Sequence, residues 1–193
     1  MRKMQIALEK EGYEVINYDY PSSKANVCAL ASKAISKALS LCSNHSSKIH
    51  FVTHSMGGIL LRAYLNEHSI EKLGSVVMLG PPNQGSQIVD KIGGLSVFKW
   101  LNGPAGLELG TKGIVQKFKE LDLHLGIIAG TRSIDPIGSM LLPWPNDGKV
   151  SVESTKMKGM KAHKVMQVTH AYMMKNPRVI AQVLHFLKHG SFF

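Results

Sequence analysis

The chain lacks any apolar run approaching the roughly 20 residues that a membrane-spanning helix needs. It has only two cysteines in 193 residues, Cys28 and Cys42. Both fall in one helical pattern, where about 1.5 Å of rise per residue sets them roughly 21 Å apart, beyond bridging distance. They read as free core thiols, which favours a reducing compartment. The segment from Met1 to Lys10 has no apolar centre and no small-residue cleavage site, so it does not read as a signal peptide and the default location is cytoplasmic. Internal repeats and low-complexity tracts are also missing. Acidic residues are scarce, 13 against 23 Lys and Arg, for a formal charge of +10. The densest lysine stretch (Lys156, Lys158, Lys161, Lys164) has no interleaved aromatics, which argues against a nucleic-acid partner. The basic surface reads as a solvated one, with an acidic substrate or an anionic membrane surface as its second meaning.

What is present describes an ordinary globule. Hydrophobic residues make up 44% and charged residues 19%. At this length one domain is expected, burying roughly 70% of its extended surface without disulfides or metal. Met1 to Lys10 reads as a helix stopped at Gly12, and Tyr13 to Tyr18 as a strand. Val27, Leu30, Ala31, Ala34, Ile35, Ala38, Leu39 and Cys42 recur at three- and four-residue steps, an amphipathic helix that Ser43 and Asn44 end. Ile49–Val52 is the next strand, Met56 to about His68 a helix, and Gly74–Leu79 a third strand. The stretch from Pro81 to about Asp122 is glycine-rich and less regular, with a short helix carrying Ile88, Val89 and Ile92, then Phe98, Trp100 and Leu101. Leu123–Ala129 and Val165–Val168 read as strands four and five, and Pro177–His189 as a closing helix. Strands alternating with helices predict an α/β fold with a mostly parallel sheet flanked by helices.

The most informative segment runs from Lys48 to Arg62. A short β-branched run ends at Ser55, and Gly57 and Gly58 open a helix directly after it. Strand, sharp turn with serine, helix is the pattern of a nucleophile elbow, here as x-x-S-x-G because Thr53 stands at the first glycine position. The small residues are needed where strand and helix backbones pass close together.

A serine hydroxyl needs a base, and an imidazole base needs a carboxylate to fix its tautomer and stabilise its charge. Of nine histidines, His54 adjoins Ser55 and points away, packing or hydrogen-bonding behind the turn. His45, His50, His68 and His124 lie at element ends and read as solvated. His185 and His189 share an i, i+4 spacing that could bind a metal, but no third ligand is near. His163 precedes the last strand. His170, just after that strand, is the candidate base. The acid is sought after the fourth strand, among Asp135, Asp147 and Glu153. Asp147, in the turn-rich Asn146-Asp147-Gly148, is preferred by order and position, with Asp135 in reserve.

The segments Thr53-His54-Ser55-Met56-Gly57-Gly58, Gly80 to Ser86, Asn146 to Ser154 and Val168-Thr169-His170 together resemble a bacterial lipase/esterase-type α/β-hydrolase over essentially the whole chain. The resemblance implies a serine hydrolase cleaving carboxylic esters through Ser55, Asp147 and His170, with the Met56 backbone N–H as one oxyanion donor. It further implies that Asn83, Gln84, Gly85 and Ser86 line the substrate pocket and that about residues 83–121 form a small cap. Substrates would be small-molecule esters or lipids; no metal or organic cofactor is implied. An acyltransferase using the same triad, or a catalytically impaired remnant, stands as the alternative. The reason is one departure: such a fold expects, before its first helix, a central strand ending in a His-Gly loop that supplies the second oxyanion donor. No His-Gly occurs upstream of Ser55. The chain therefore reads as N-terminally truncated, with a gap expected between the strands at Val15 and Ile49. A fragment is the preferred explanation over a strand supplied by another chain or a degenerate relative.

Overall fold

The computed structural model describes residues 1–43, 47–95 and 103–193. Helix α1 (Arg2–Lys10) leads into an extended segment, 13–20, and then helix α2 (Val27–Ser40). The α2 start is set by Asn26, whose side chain accepts the Ala29 N–H at 2.8 Å, a cap worth about 1 kcal/mol. Strand β1 (Ile49–His54), helix α3 (Met56–Glu67) and strand β2 (Leu73–Leu79) follow, then the short helix α4 (Gln87–Ile92), β3 (Leu125–Gly130) and β4 (Ala162–Met166). Between β3 and β4 lie two short helices, Pro136–Met140 and Val152–Thr155. The closing helix, Pro177–His189, starts at Asn176, which caps the Arg178 and Val179 N–H groups, and stops at Gly190 in the left-handed conformation.

The four strands form one sheet in the order β1-β2-β3-β4, every neighbouring pair parallel. This is the predicted α/β class. The buried faces of β2 and β3 explain their unbroken apolar runs, since helices cover both sides. On one side α1 and the closing helix pack Met4, Leu8, Val183 and Phe186 against Val77, Leu79 and Ile128. On the other, α2 and α3 join Val27, Leu30, Ile59 and Leu60 to Ala105, Leu109 and Val115 of the irregular region. Leu61, Leu65, Val76, Met78, Leu125 and Ile127 form a third cluster.

Several expectations need correction. Tyr13–Tyr18 is extended but is not a strand of the sheet, because among the described residues no strand lies beside it to pair with. The last strand is Ala162–Met166 rather than Val165–Val168. The thiols are free, but Cys28 is exposed and Cys42 only half-buried, because α2 turns Val27, Leu30, Ala31 and Ala34 inward instead. Phe98, Trp100 and Leu101, with His45 and Asn44, lie outside the described residues. Among the described residues, no helix is long and apolar enough to cross a membrane.

Ile127 is fully buried in β3. Ile127→Ala is expected to cost about 2–5 kcal/mol, the usual range for truncating a core isoleucine, read as a lower urea midpoint with unchanged slope.

Candidate active site

Ser55 links β1 to α3 with φ 53° and ψ −126°, and among the described residues it is the one non-glycine with positive φ. Such a conformation costs on the order of 1–3 kcal/mol and persists only where the surroundings enforce it. Here the Ser55 N–H donates to the Leu79 carbonyl at 2.9 Å, and the Gly58 N–H returns to the Ser55 carbonyl at 3.1 Å. A Cβ on Gly58 would come within 3.1 Å of the Met78 sulfur and 3.2 Å of Pro81. The helix can therefore start this close to β2 only without a side chain there. Met56 is the first residue of α3, so its N–H belongs to the unpaired, electropositive first turn.

His170 opens a 3-10 turn, His170–Lys175, after β4. Its Nδ1 lies 2.8 Å from Asp147 Oδ2. The other carboxylate oxygen accepts the Lys149 and Val150 N–H groups at 3.0 and 2.8 Å, and the His170 N–H donates to the Asp147 carbonyl at 3.1 Å. The Asp147 side chain is fully buried, while that of His170 keeps 12% exposure. With Nδ1–H donating to the carboxylate, Nε2 is left as the acceptor, the tautomer a general base requires.

Gly80 ties this pair to Ser55. It follows Leu79, the residue that holds the Ser55 N–H. Its φ is +54°, and a Cβ there would stand 3.1 Å from both Asp147 Oδ2 and His170 Nδ1. Ser55, Asp147 and His170 thus all lie at the C-terminal end of the sheet, on the turn after β1 and the connections after β3 and β4. Asp135 is not part of this group: its carboxylate caps Gly138 and pairs with Lys149 at 3.1 Å, which together hold it below the usual carboxylate range.

His54 hydrogen-bonds behind the turn, one of the two roles expected of it. Its Nε2 is 3.0 Å from the His170 carbonyl, and the two rings lie 4.7 Å apart. A carbonyl only accepts, so Nε2–H donates. Burial first, and then the neighbouring His170, push its pKa from 6.5 to about 4. Two other histidines make contacts within the protein, and His50 is less exposed than expected while His124 is exposed as expected. His50 is half-buried and accepts the Ser75 N–H at 2.9 Å, and His124 lies 2.9 Å from the Ser75 hydroxyl and stacks on Phe186. Both are engaged with the protein rather than with solvent alone. The rings of His185 and His189 adjoin, but among the described residues no group of three metal-ligating side chains forms.

The 83–86 loop is held by its own polar groups. Asn83 is buried and donates to the Thr155 carbonyl at 2.9 Å. Gln84 is exposed, with its N–H on the Ser154 carbonyl; the Ser154 hydroxyl donates to the Gly85 carbonyl, and the Ser86 N–H reaches the Leu109 carbonyl at 2.7 Å. The sequence reading missed the clamp beneath them, Arg62. This buried guanidinium donates to the Asn83 carbonyl at 2.7 Å and the Val115 carbonyl at 3.4 Å and lies over the Phe118 ring. Burial lowers its pKa to about 10. The available signal was a lone arginine inside the apolar run Ile59-Leu60-Leu61-Arg62-Ala63.

Comparison with solved structures places the fold. The mature form of lipase BlEst2 from Bacillus licheniformis superposes with a TM-score of 0.75 at 17% identity, over 98% of this chain and 84% of that one. The fold is that of the lipase/esterase-type α/β-hydrolases. The α/β-hydrolase likeness extends to phospholipase PlaB of Legionella pneumophila (TM-score 0.73, 16% identity, 98% of this chain) and to esterase Pf2001 of Pyrococcus furiosus (TM-score 0.61, 21% identity, 97% of this chain). The chain spans 56% of the length of PlaB and 75% of that of Pf2001. No protein-family model and no curated protein matches the sequence.

Three partly buried histidines set a pH dependence. Above about 6.5 His54 is neutral in both folded and unfolded chains, and its contribution is complete. As pH falls from 6.5 towards 4, the unfolded chain takes up a proton that the folded chain refuses, so stability is lost. His50 and His163, also lowered chiefly by burial, act in the same direction. Thermal melts between pH 7 and 4 are expected to show a falling Tm, and His54→Gln a shallower fall.

Proposed function

We propose that the chain is a serine hydrolase of carboxylic esters. Ser55 attacks the acyl carbon while His170 Nε2 takes its proton. Asp147 holds the imidazole and stabilises its positive charge. The Met56 N–H faces the developing oxyanion at the helix start. His170 then passes its proton to the leaving alkoxide, and water, deprotonated by the same imidazole, releases the acid. The observation that carries this reading is the 2.8 Å His170–Asp147 contact, set against Gly80 one residue beyond the carbonyl that holds Ser55. On this reading the 83–86 loop walls the acyl site, braced by Arg62, and residues 83–121 act as its cap.

The substrates are small-molecule esters or lipids. A lipid surface as partner is favoured by one patch at the catalytic end of the sheet. Ile134, Ile137, Met140 and Trp144 are 63–84% exposed. They follow β3 in the connection that also carries Asp147, and Ile134, Met140 and Trp144 line a shallow cavity of about 610 Å³. Lys91, bonded to the Leu141 carbonyl, puts a cation at its margin. An apolar tip with tryptophan and a basic rim suits an anionic bilayer interface.

A fluorophosphonate probe is expected to label the chain covalently, and Ser55→Ala to abolish labelling; a folded chain that stays unlabelled would falsify the assignment. Asp147→Asn is expected to slow p-nitrophenyl ester hydrolysis by on the order of 10⁴-fold, since the imidazole loses its tautomer control. In co-sedimentation with 3:1 phosphatidylcholine:phosphatidylglycerol vesicles, Trp144→Ser is expected to weaken binding about tenfold. Equal binding by the variant would remove the patch from the account.

A further inference from the structure

Asn146, one residue before the proposed acid, is a buried polar side chain that the proposed chemistry does not touch. It is 1% exposed, and burying an amide is costly unless its polar atoms find partners. Here they all do. Oδ1 accepts the Gly148 N–H at 3.0 Å and the Ser139 hydroxyl at 2.9 Å. Nδ2 donates to the Ser139 and Pro143 carbonyls at 3.2 and 3.3 Å. Two accepted and two donated bonds are the full capacity of a side-chain amide. The backbone partners also fix which way the amide faces, since an N–H can only donate to its oxygen and carbonyls can only accept from its nitrogen.

These bonds join two parts of the connection after β3. One is the short helix Pro136–Met140 with the chain up to Pro143. The other is the turn 147–150, which holds the carboxylate: Asp147 Oδ1 accepts the Lys149 and Val150 N–H groups, and Oδ2 is left to His170 Nδ1. Gly148 adopts φ +94°, and a Cβ on Gly138 would stand 2.5 Å from its carbonyl oxygen. The Asn146 bond to Gly148 spans two residues, an Asx turn. It sets the orientation of the peptide from which the Lys149 and Val150 N–H groups follow. The turn is also closed by the Asp147 N–H on the Val150 carbonyl at 3.1 Å and the Val152 N–H on the Pro145 carbonyl at 2.9 Å, but neither bond reaches Gly148. The Asp135–Lys149 ion pair spans the same two parts at the surface, with side chains 37% and 58% exposed, where such pairs contribute little.

We propose that Asn146 is a positioning residue for the Asp147–His170 pair. Its amide fixes the Gly148 peptide, and through it the two N–H groups that keep the Asp147 carboxylate aimed at Nδ1. A fully satisfied buried amide suits this role, because any other arrangement of the turn leaves polar atoms buried without partners. Its kinetic consequence rests on the hydrolase reading, and its structural one on the hydrogen bonds alone. The pair acts on the proton that leaves Ser55, so loosening it slows the chemical step and leaves substrate binding as it was. A misplacement of about 1 Å can cost on the order of 100-fold in rate.

The test compares the wild-type chain with Asn146→Ala and Asn146→Ser. Serine keeps a weaker acceptor for the Gly148 N–H two residues on, and lacks the reach to Ser139 and Pro143. In p-nitrophenyl ester hydrolysis Asn146→Ala is expected to lower kcat on the order of 10–100-fold with KM within about twofold, and Asn146→Ser to recover most of that loss. The His170 Nδ1–H, assigned by its disappearance in His170→Gln, is expected as a far-downfield proton resonance in wild type and Asn146→Ser, and to be lost to solvent exchange in Asn146→Ala. Ile127→Ala, destabilised in the core, is expected to keep both kcat and the resonance. In the wild-type chain the Gly148 amide has Asn146 Oδ1 as its acceptor, so its hydrogen exchange reports that bond directly. It is expected to be as slow as that of the β3 amides, which decides the matter if Asn146→Ala does not fold. Unchanged kcat and resonance in folded Asn146→Ala overturn the proposal, as does fast exchange at Gly148. An Asn146→Ser chain as impaired as Asn146→Ala, or a raised KM with kcat unchanged, also overturns it, leaving a structural brace only. A chain that a fluorophosphonate leaves unlabelled, but whose resonance still follows residue 146, removes the hydrolase and keeps the positioning role.

Discussion

The buried carboxylate of Asp147 is the constraint around which the C-terminal end of the sheet is organised. One oxygen meets His170 Nδ1, and the other takes two backbone N–H groups from the turn that follows. A carboxylate without solvent is tolerable only when its lone pairs are occupied in this way; removing one partner of such a buried pair typically costs about 3–5 kcal/mol. That single group fastens the connection after β3 to the turn after β4. Gly80, without a side chain, lets the end of β2 approach both. Ser55 is in turn held by Leu79, so the backbone strain at the serine is borne by the sheet rather than by the loop.

The same sheet explains why polar atoms far from Ser55 matter to it. Arg62 sits on α3, one of the helices fixed by the Ser55 turn, yet its hydrogen bonds go to Asn83 and Val115. It links the helix behind the serine to the loop in front of β2. His54 links β1 to the backbone of His170. Both side chains give up solvation for these contacts, which is why both are less basic than usual. At the opposite edge, β1 keeps one row of backbone groups facing an apolar slot. The sheet is well packed from β2 to β3 and open beside β1.

Much of this was legible from local pattern. The strands at Ile49, Gly74 and Leu123 and the closing helix Pro177–His189 were readable because apolar periodicity, an asparagine cap, a first-turn proline and a terminal glycine agree there. Ser55, Asp147 and His170 could be singled out as candidates because the chain order of strand ends and turn residues is itself a local signal, and of the three the Asp147–His170 pair is in hydrogen-bond contact. Tyr13–Tyr18 reads as a strand and is extended, but strand pairing needs a neighbour, and no local pattern reports whether one is present. His50 was misread for a related reason: its partner, Ser75, lies 25 residues away.

Residue order alone was enough for the α/β alternation, the serine turn and the succession of the three candidate groups, because periodicity, capping and turn chemistry act over a few residues. Folding in three dimensions was needed to show which carboxylate reaches His170, that the buried Arg62 and the partly buried His54 are committed to distant carbonyls, and that β1 stands at an open edge. Those outcomes depend on which surfaces meet when the helices close over the sheet, and a contact between residues tens of positions apart leaves no local trace.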